Sequence, residues 1–121
     1  MGYRSDVTAL IYGDQRDPDK YEVLKVLMNT AFKGVRTEFE ANMNWHDEEC
    51  VLEFKMEGVK WYDSCLDVQD FTRMLCALSE IEGFNYEVLR VGEDDNDIQS
   101  DTGGNAREHL LSVERTIQVN L

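Results

Sequence analysis

Glu38-Phe39-Glu40-Ala41-Asn42-Met43-Asn44-Trp45-His46-Asp47-Glu48-Glu49-Cys50-Val51-Leu52-Glu53-Phe54-Lys55-Met56 is the most regular stretch of this sequence. Phe39, Ala41, Met43 and Trp45 alternate with Glu38, Glu40, Asn42 and Asn44, the period of a strand with one face buried and one in water. His46-Asp47-Glu48-Glu49 supplies a polar turn. Leu52, Phe54 and Met56 then alternate with Val51, Glu53 and Lys55 on a returning strand. The stretch predicts an antiparallel hairpin, with Gly58 ending its second strand ahead of a short extended piece over Val59 to Tyr62.

The flanking segments read as helices and strands in turn. Upstream, Asp6 to Tyr12 is largely apolar at both parities (Val7, Ala9 and Ile11 against Thr8, Leu10 and Tyr12), as in a central strand covered on both faces. Asp17-Pro18 starts a helix, since the carboxylate caps free amides and proline at the first helical position loses no useful donor. Tyr21, Leu24, Leu27, Met28 and Ala31 form its apolar stripe, and Lys33-Gly34 is its expected end. Downstream, Ser64 and Asp67 fit a capping box, with Asp67 itself as the alternative cap. Val68, Phe71, Leu75, Leu78 and Ile81 recur at helical spacing until Glu82-Gly83.

Tyr86 to Val91 is strand-like. Residues 92–108 are acidic, contain Gly103-Gly104 and have little apolar content beyond Ile98, so they read as a mobile loop. A last strand is expected from Leu110 to Val119. The order is βαββαββ, which points to an α+β, two-layer, ferredoxin-like (split βαβ) sandwich in one domain, its sheet mainly antiparallel with two helices on one face.

Charge narrows the function. The 121 residues carry 25 Asp and Glu against 12 Lys and Arg, a formal net charge of −13. DNA and anionic membranes are bound through clustered cations, so neither is an expected partner. A protein with a basic surface is. Hydrophobic residues make up 42% of the chain, enough for a packed core and against global disorder. Three cysteines, Cys50, Cys65 and Cys76, have no framework spacing and read as reduced thiols of a cytoplasmic protein. No apolar run approaches the roughly 20 residues of a membrane span.

No motif calls for a catalytic set, a cofactor or a metal. Begun at Asp94 or Asp95, the acidic stretch has no glycine at the sixth place and no glutamate at the twelfth, as a calcium loop requires. His46, Cys50, Cys65 and His109 lack the paired spacing of zinc ligands. Gly103-Gly104 lacks the pattern of a phosphate loop. An enzyme is not the favoured reading.

Two interaction features stand out. Glu38 and Glu40, about 7 Å apart on the wet side of a strand, would join Asp47, Glu48, Glu49 and Glu53 in a negative surface, extended by Glu93, Asp94, Asp95 and Asp97. That density is of the order of duplex phosphates, which suggests nucleic-acid mimicry; the plain alternative is a solvated acidic face. Trp61 and Tyr62 are adjacent, so one of them points outward as a candidate anchor for a partner; the plain alternative puts Trp61 in the core and Tyr62 over the end of the second helix.

Three segments also carry a resemblance. Gly2-Tyr3-Arg4-Ser5-Asp6-Val7, then Lys60-Trp61-Tyr62-Asp63-Ser64, then Arg90-Val91-Gly92-Glu93-Asp94 resemble stretches of small acidic phage- and prophage-encoded proteins of unassigned function. The resemblance implies a phage accessory protein in a bacterial host cytoplasm, and it carries over no catalytic residue. Taken with the charge, it suggests a protein that binds and modulates or inhibits a host or defence protein with a basic surface. A small ligand-binding domain or enzyme, its site near Arg4, Trp61, Arg90 and the 93–98 turn, is the alternative; a structural homodimer joined at sheet edges is another. On the plainest reading, Arg4 or Arg90 holds the acidic turn in place.

Overall fold

A computed structural model describes residues 3–94, 96–104, 110–113 and 117–121, with the side chains of Ser112 and Val113 left aside. The first apolar segment is strand β1 (Ser5–Gly13), at the centre of a five-stranded antiparallel sheet. Val7, Ala9 and Ile11 on one face are fully buried, as is Leu10 on the other, so both sides of this strand are covered as its two-parity apolar pattern predicts. With β2 (Met43–His46), β3 (Val51–Val59), β4 (Phe84–Gly92) and β5 (Ile98–Gly103), the sheet order is β2-β3-β1-β4-β5. The fold is α+β.

Three helices, rather than the expected two, cover one face. Helix α1 (Pro18–Asn29) begins as read, with the Asp17 carboxylate accepting from the Asp19 amide at 3.0 Å and proline at the first position. It does not run to Lys33-Gly34. Thr30 leaves helical geometry, its hydroxyl donates to the Val26 carbonyl at 2.8 Å, and the chain turns within three residues. Helix α2 (Lys33–Phe39) then starts where the first helix was expected to stop.

The alternation around Phe39 is therefore only half strand. Phe39 is buried while Ala41 is exposed, so the two do not share a face. Half-buried Val35 and buried Phe39, four apart, are the helical pair that packs on the core. A 3₁₀ turn (Glu40–Asn42) joins α2 to β2, which keeps Met43 to Trp45 of the expected strand and adds His46, read as the first residue of the turn.

Helix α3 (Leu66–Glu80) lays Val68, Phe71, Met74, Leu75 and Leu78 on the sheet. The capping box at its start does not form: Cys65 occupies the cap position without a side-chain bond, and Asp67 accepts from the next amide, Val68, at 2.9 Å. Phe71 sits at the middle of an aromatic cluster, with ring centroids 4.9 Å from Phe54, 5.1 Å from Phe39 and 5.6 Å from Trp61.

The segment read as a mobile loop contains β5, paired with β4 from Tyr86 opposite Gly103 to Val91 opposite Ile98. As an outer strand with mostly exposed side chains it has no apolar alternation, and main-chain pairing holds it. Gly103 lies against the Tyr86 ring, where a Cβ would collide. Gly103→Ala is expected to cost about 1–3 kcal/mol in urea denaturation and to move the Tyr86 ring, read from its NMR signals. A loss below about 0.5 kcal/mol would show that the ring has room to shift. Residues 105–108, also part of the expected loop, lie outside the described residues.

The expected last strand is instead a hairpin, β6 (Leu111–Val113) with β7 (Ile117–Val119), pairing with itself as a separate two-stranded sheet. Leu110, Leu111 and Val119 pack with Leu10, Tyr12 and Val51 on the face away from the helices. Glu87 lies beneath this segment and is 4% exposed. It accepts from the Tyr12 hydroxyl at 2.6 Å and from the Leu110 amide at 2.9 Å, with a longer bond from the Leu111 amide. Among the described residues, no helix is long and apolar enough to cross a membrane.

Candidate functional site

Side chains two apart on a strand share a face, so Tyr86, Val88 and Arg90 of β4 line up on the helix side of the sheet. Opposite them on β5 stand Gly103, Asp101 and Gln99. Val68, Phe71, Thr72 and Leu75 of α3 form the facing wall, and Tyr3, Trp61, Tyr62 and Asp63 close one end. Between these walls lies a cleft of about 420 Å³, within the size range of small-ligand sites.

Arg90 organises the end of the cleft near the acidic turn. Its two terminal nitrogens grip the Asp97 carboxylate at 2.6 and 3.1 Å, a bidentate charge-assisted pair. Its Nε donates to Gln99 at 3.1 Å and Nη1 to the Ser5 hydroxyl at 3.0 Å. The hydroxyl of Tyr3 donates to the same Asp97 carboxylate at 2.6 Å and accepts from the Asp94 amide at 3.1 Å. Tyr62 donates to the Tyr3 carbonyl at 2.8 Å, tying the 60–65 segment to the start of β1.

Ionisation follows these contacts. The Arg90 guanidinium, then the Tyr3 hydroxyl, hold the Asp97 carboxyl below its ordinary value, against a smaller opposing effect of burial. The pair raises Arg90 in turn, with burial opposing. At Tyr3 the Asp94 amide favours ionisation, but the Asp97 hydrogen bond, burial and the neighbouring charges together outweigh it and leave the phenol raised. Burial, then the hydrogen bond to Asp101 at 3.1 Å, pushes Tyr86 up to about 12, so it remains a donor at neutral pH.

Because Asp97 is lowered in the folded chain, its contribution to stability is complete above the ordinary carboxylate range, near 3.9, and is lost as pH falls through the lowered value. Carboxyl-detected NMR is expected to place the Asp97 midpoint below that range and to move it upward in Arg90→Gln. An unchanged midpoint in the variant would mean the pair does not persist in solution.

Of the residues singled out by sequence, Trp61, Tyr62, Arg90 and Asp97 come together in the cleft. Trp61 packs against the core, as its plain reading had it, while Tyr62 remains 36% exposed. Arg4 does not line the cleft: its guanidinium donates to the Gly58 carbonyl at 2.8 Å, and its amide donates to Glu93 at 3.1 Å. Asp94 contributes its amide to Tyr3, and Asp95 lies outside the described residues.

The acidic face is less continuous than expected. Glu38 belongs to α2 and Glu40 to the 3₁₀ turn after it, where Glu40 pairs with Arg36 at 3.4 Å, so the strand spacing proposed for them does not exist. Glu53 is 7% exposed and points away from water, accepting from Asn44 at 3.3 Å with His46 at the same distance. Asp47, Glu48 and Glu49 do occupy the β2–β3 turn. Asp47 accepts from the Tyr21 hydroxyl at 2.6 Å and lies 3.6 Å from Lys25; Tyr21, then Lys25, lower its carboxyl.

Sequence reasoning missed Tyr3, Asp63, Thr72, Tyr86, Gln99 and Asp101. The Tyr86-x-Val88-x-Arg90 alternation was the available signal, since an arginine in register with a tyrosine and a valine marks where a buried face meets solvent. Among the described residues no group of three His, Cys, Asp or Glu is placed to hold a metal, and His109 lies outside them. Comparison of the chain with protein-family models, curated proteins and solved structures finds no match.

Proposed function

We propose that this protein is a binding domain whose ligand site is the cleft between α3 and the β4–β5 edge. One observation carries the reading: aromatic rings from four separate segments converge with a fixed Arg90–Asp97 pair around a cavity of about 420 Å³. A concave hollow with aromatic walls and oriented polar groups is a recurring form of small-molecule site. Protein-observed NMR against a fragment library tests it. Hits are expected to shift Trp61, Val88 and Gln99 and to be lost in Thr72→Trp, which fills the cleft from the exposed side of α3. Hits that persist in Thr72→Trp, or that map elsewhere, would overturn it.

A second reading is favoured by the net charge of −13: association with a host or defence protein that has a basic surface. The β2–β3 turn, with Glu48 exposed beside Asp47, supports it better than Glu38, Glu40 or Glu53. Mimicry of nucleic acid has lost the strand spacing from which it was argued. Phage origin and a bacterial cytoplasmic setting rest on the sequence resemblance alone. We also read β2-β3-β1-β4, with helices between β1 and β2 and between β3 and β4, as a ferredoxin-like core to which β5 and the terminal hairpin are added; the antiparallel pairing of β1 with both β3 and β4 supports this.

A further inference from the structure

Resting on the reading of the cleft as a ligand site, we propose that it selects an organic cation, an ammonium or guanidinium group carried on an apolar body. The lining contains three aspartates, Asp63, Asp97 and Asp101, and one arginine. That arginine is already committed. Asp97, Gln99 and Ser5 take four hydrogen bonds from Arg90, so an anionic ligand would have to displace Asp97 from a bidentate pair while facing two further carboxylates.

The tyrosine hydroxyls are committed as well. Tyr3 donates to Asp97 and Tyr86 to Asp101, so neither points a free proton at an incoming carboxylate or phosphate. Apart from the neutral NH2 of Gln99, whose amide oxygen is taken by Arg90, what the cleft offers a ligand is acceptor capacity and ring surface. Asp63 and Asp101 are exposed at its rim, and Asp63 makes no side-chain hydrogen bond or ion pair in the described structure. Trp61 and Tyr62 supply aromatic surface, to which a cation is attracted through the ring quadrupole. The charge of the whole chain works in the same direction, raising the local concentration of cations at a concave site.

The test uses the intact protein and three molecules of nearly equal size: phenethylamine, 2-phenylethanol and 3-phenylpropanoate. N-acetylarginine amide stands for a guanidinium presented by a peptide. Amide and indole NMR shifts at Trp61 and Gln99 report binding. Phenethylamine is expected to bind about tenfold more tightly than the alcohol, and the carboxylate more weakly than both. This preference should shrink at high salt and collapse toward one in Asp63→Asn/Asp101→Asn, both exposed positions, the amide oxygen of the second change still able to accept from Tyr86. Tighter binding of N-acetylarginine amide than of phenethylamine supports the cation and assigns its source to a basic side chain of a partner. The reverse order supports the cation and assigns it to a small molecule.

Equal affinity for amine and alcohol, or preference for the carboxylate, overturns the cation assignment and leaves the cleft as a ligand site. A preference that survives intact in the double variant overturns the role of the aspartates. No shift at the cleft with any of the four removes the reading on which the inference rests.

Discussion

Phe71→Ala is expected to destabilise the protein by about 3–5 kcal/mol, measured by urea denaturation, the largest effect expected of any single truncation in this core. Phe71 is fully buried on α3 and meets Phe39 of α2, Phe54 of β3 and Trp61 of the segment before α3. Removing it opens a cavity bordered by four elements that cannot all close on it, so transfer and cavity costs add. For a domain with an ordinary margin of about 5–15 kcal/mol, that is a large fraction of the whole. The same ring lines the cleft, so the variant should also lose the ordered position of Trp61. Phe71→Leu retains most of the contact and should recover most of the stability. A cost below about 1 kcal/mol for the alanine variant would mean the aromatic cluster does not join the helices to the sheet.

Glu87→Ala is the second large effect, at about 3 kcal/mol. The carboxylate is buried under the C-terminal hairpin and accepts from one hydroxyl and the amides of Leu110 and Leu111. Its loss takes a charged acceptor from buried donors, each of which costs about 1–3 kcal/mol when left unmet. The hairpin should then lift from the sheet, seen as faster hydrogen exchange at Leu110 and Val119, while β1 and β3 stay protected. Glu87→Gln retains one acceptor oxygen and should lie between. Glu53→Ala is the control. Glu53 is nearly as buried, but its partners Asn44 and His46 reach solvent and can turn to water, so about 1 kcal/mol is expected. Equal costs at Glu87 and Glu53 would remove the case for a carboxylate that docks the hairpin.

The sequence is most legible where burial imposes a period. The two-sided apolar β1, the Asp17-Pro18 helix start, the return strand through Leu52, Phe54 and Met56, and the stripe of α3 all follow from positions that must face a core. It is least legible where main-chain bonds do the holding. β5 has few apolar side chains because it is an outer strand, so it reads as a loop, and its anchors, Asp97 at one end and Gly103 at the other, read as loop chemistry. Around Phe39 the last turn of α2 and the first residues of β2 fall in phase by chance, and only Val35, four residues earlier, tells helix from strand. The cleft is half visible. Trp61, Tyr62, Arg90 and the acidic turn stand out as a group in the sequence, but Tyr86 and Asp101 join them only through the β4–β5 register, which a single sequence does not contain.

The chain has two tryptophans, and only Trp61 borders the cleft, whereas Trp45 packs edge-on against Tyr21 with ring centroids 5.7 Å apart. Fluorine NMR on protein labelled with 5-fluorotryptophan therefore carries an internal control, with Trp45→Phe giving the assignment. With phenethylamine added, the Trp61 resonance should shift in a saturable way while Trp45 stays fixed. A Trp45 shift with Trp61 unmoved, or no saturable shift of either with phenethylamine, 2-phenylethanol, 3-phenylpropanoate or N-acetylarginine amide, would contradict a binding cleft between α3 and the β4–β5 edge.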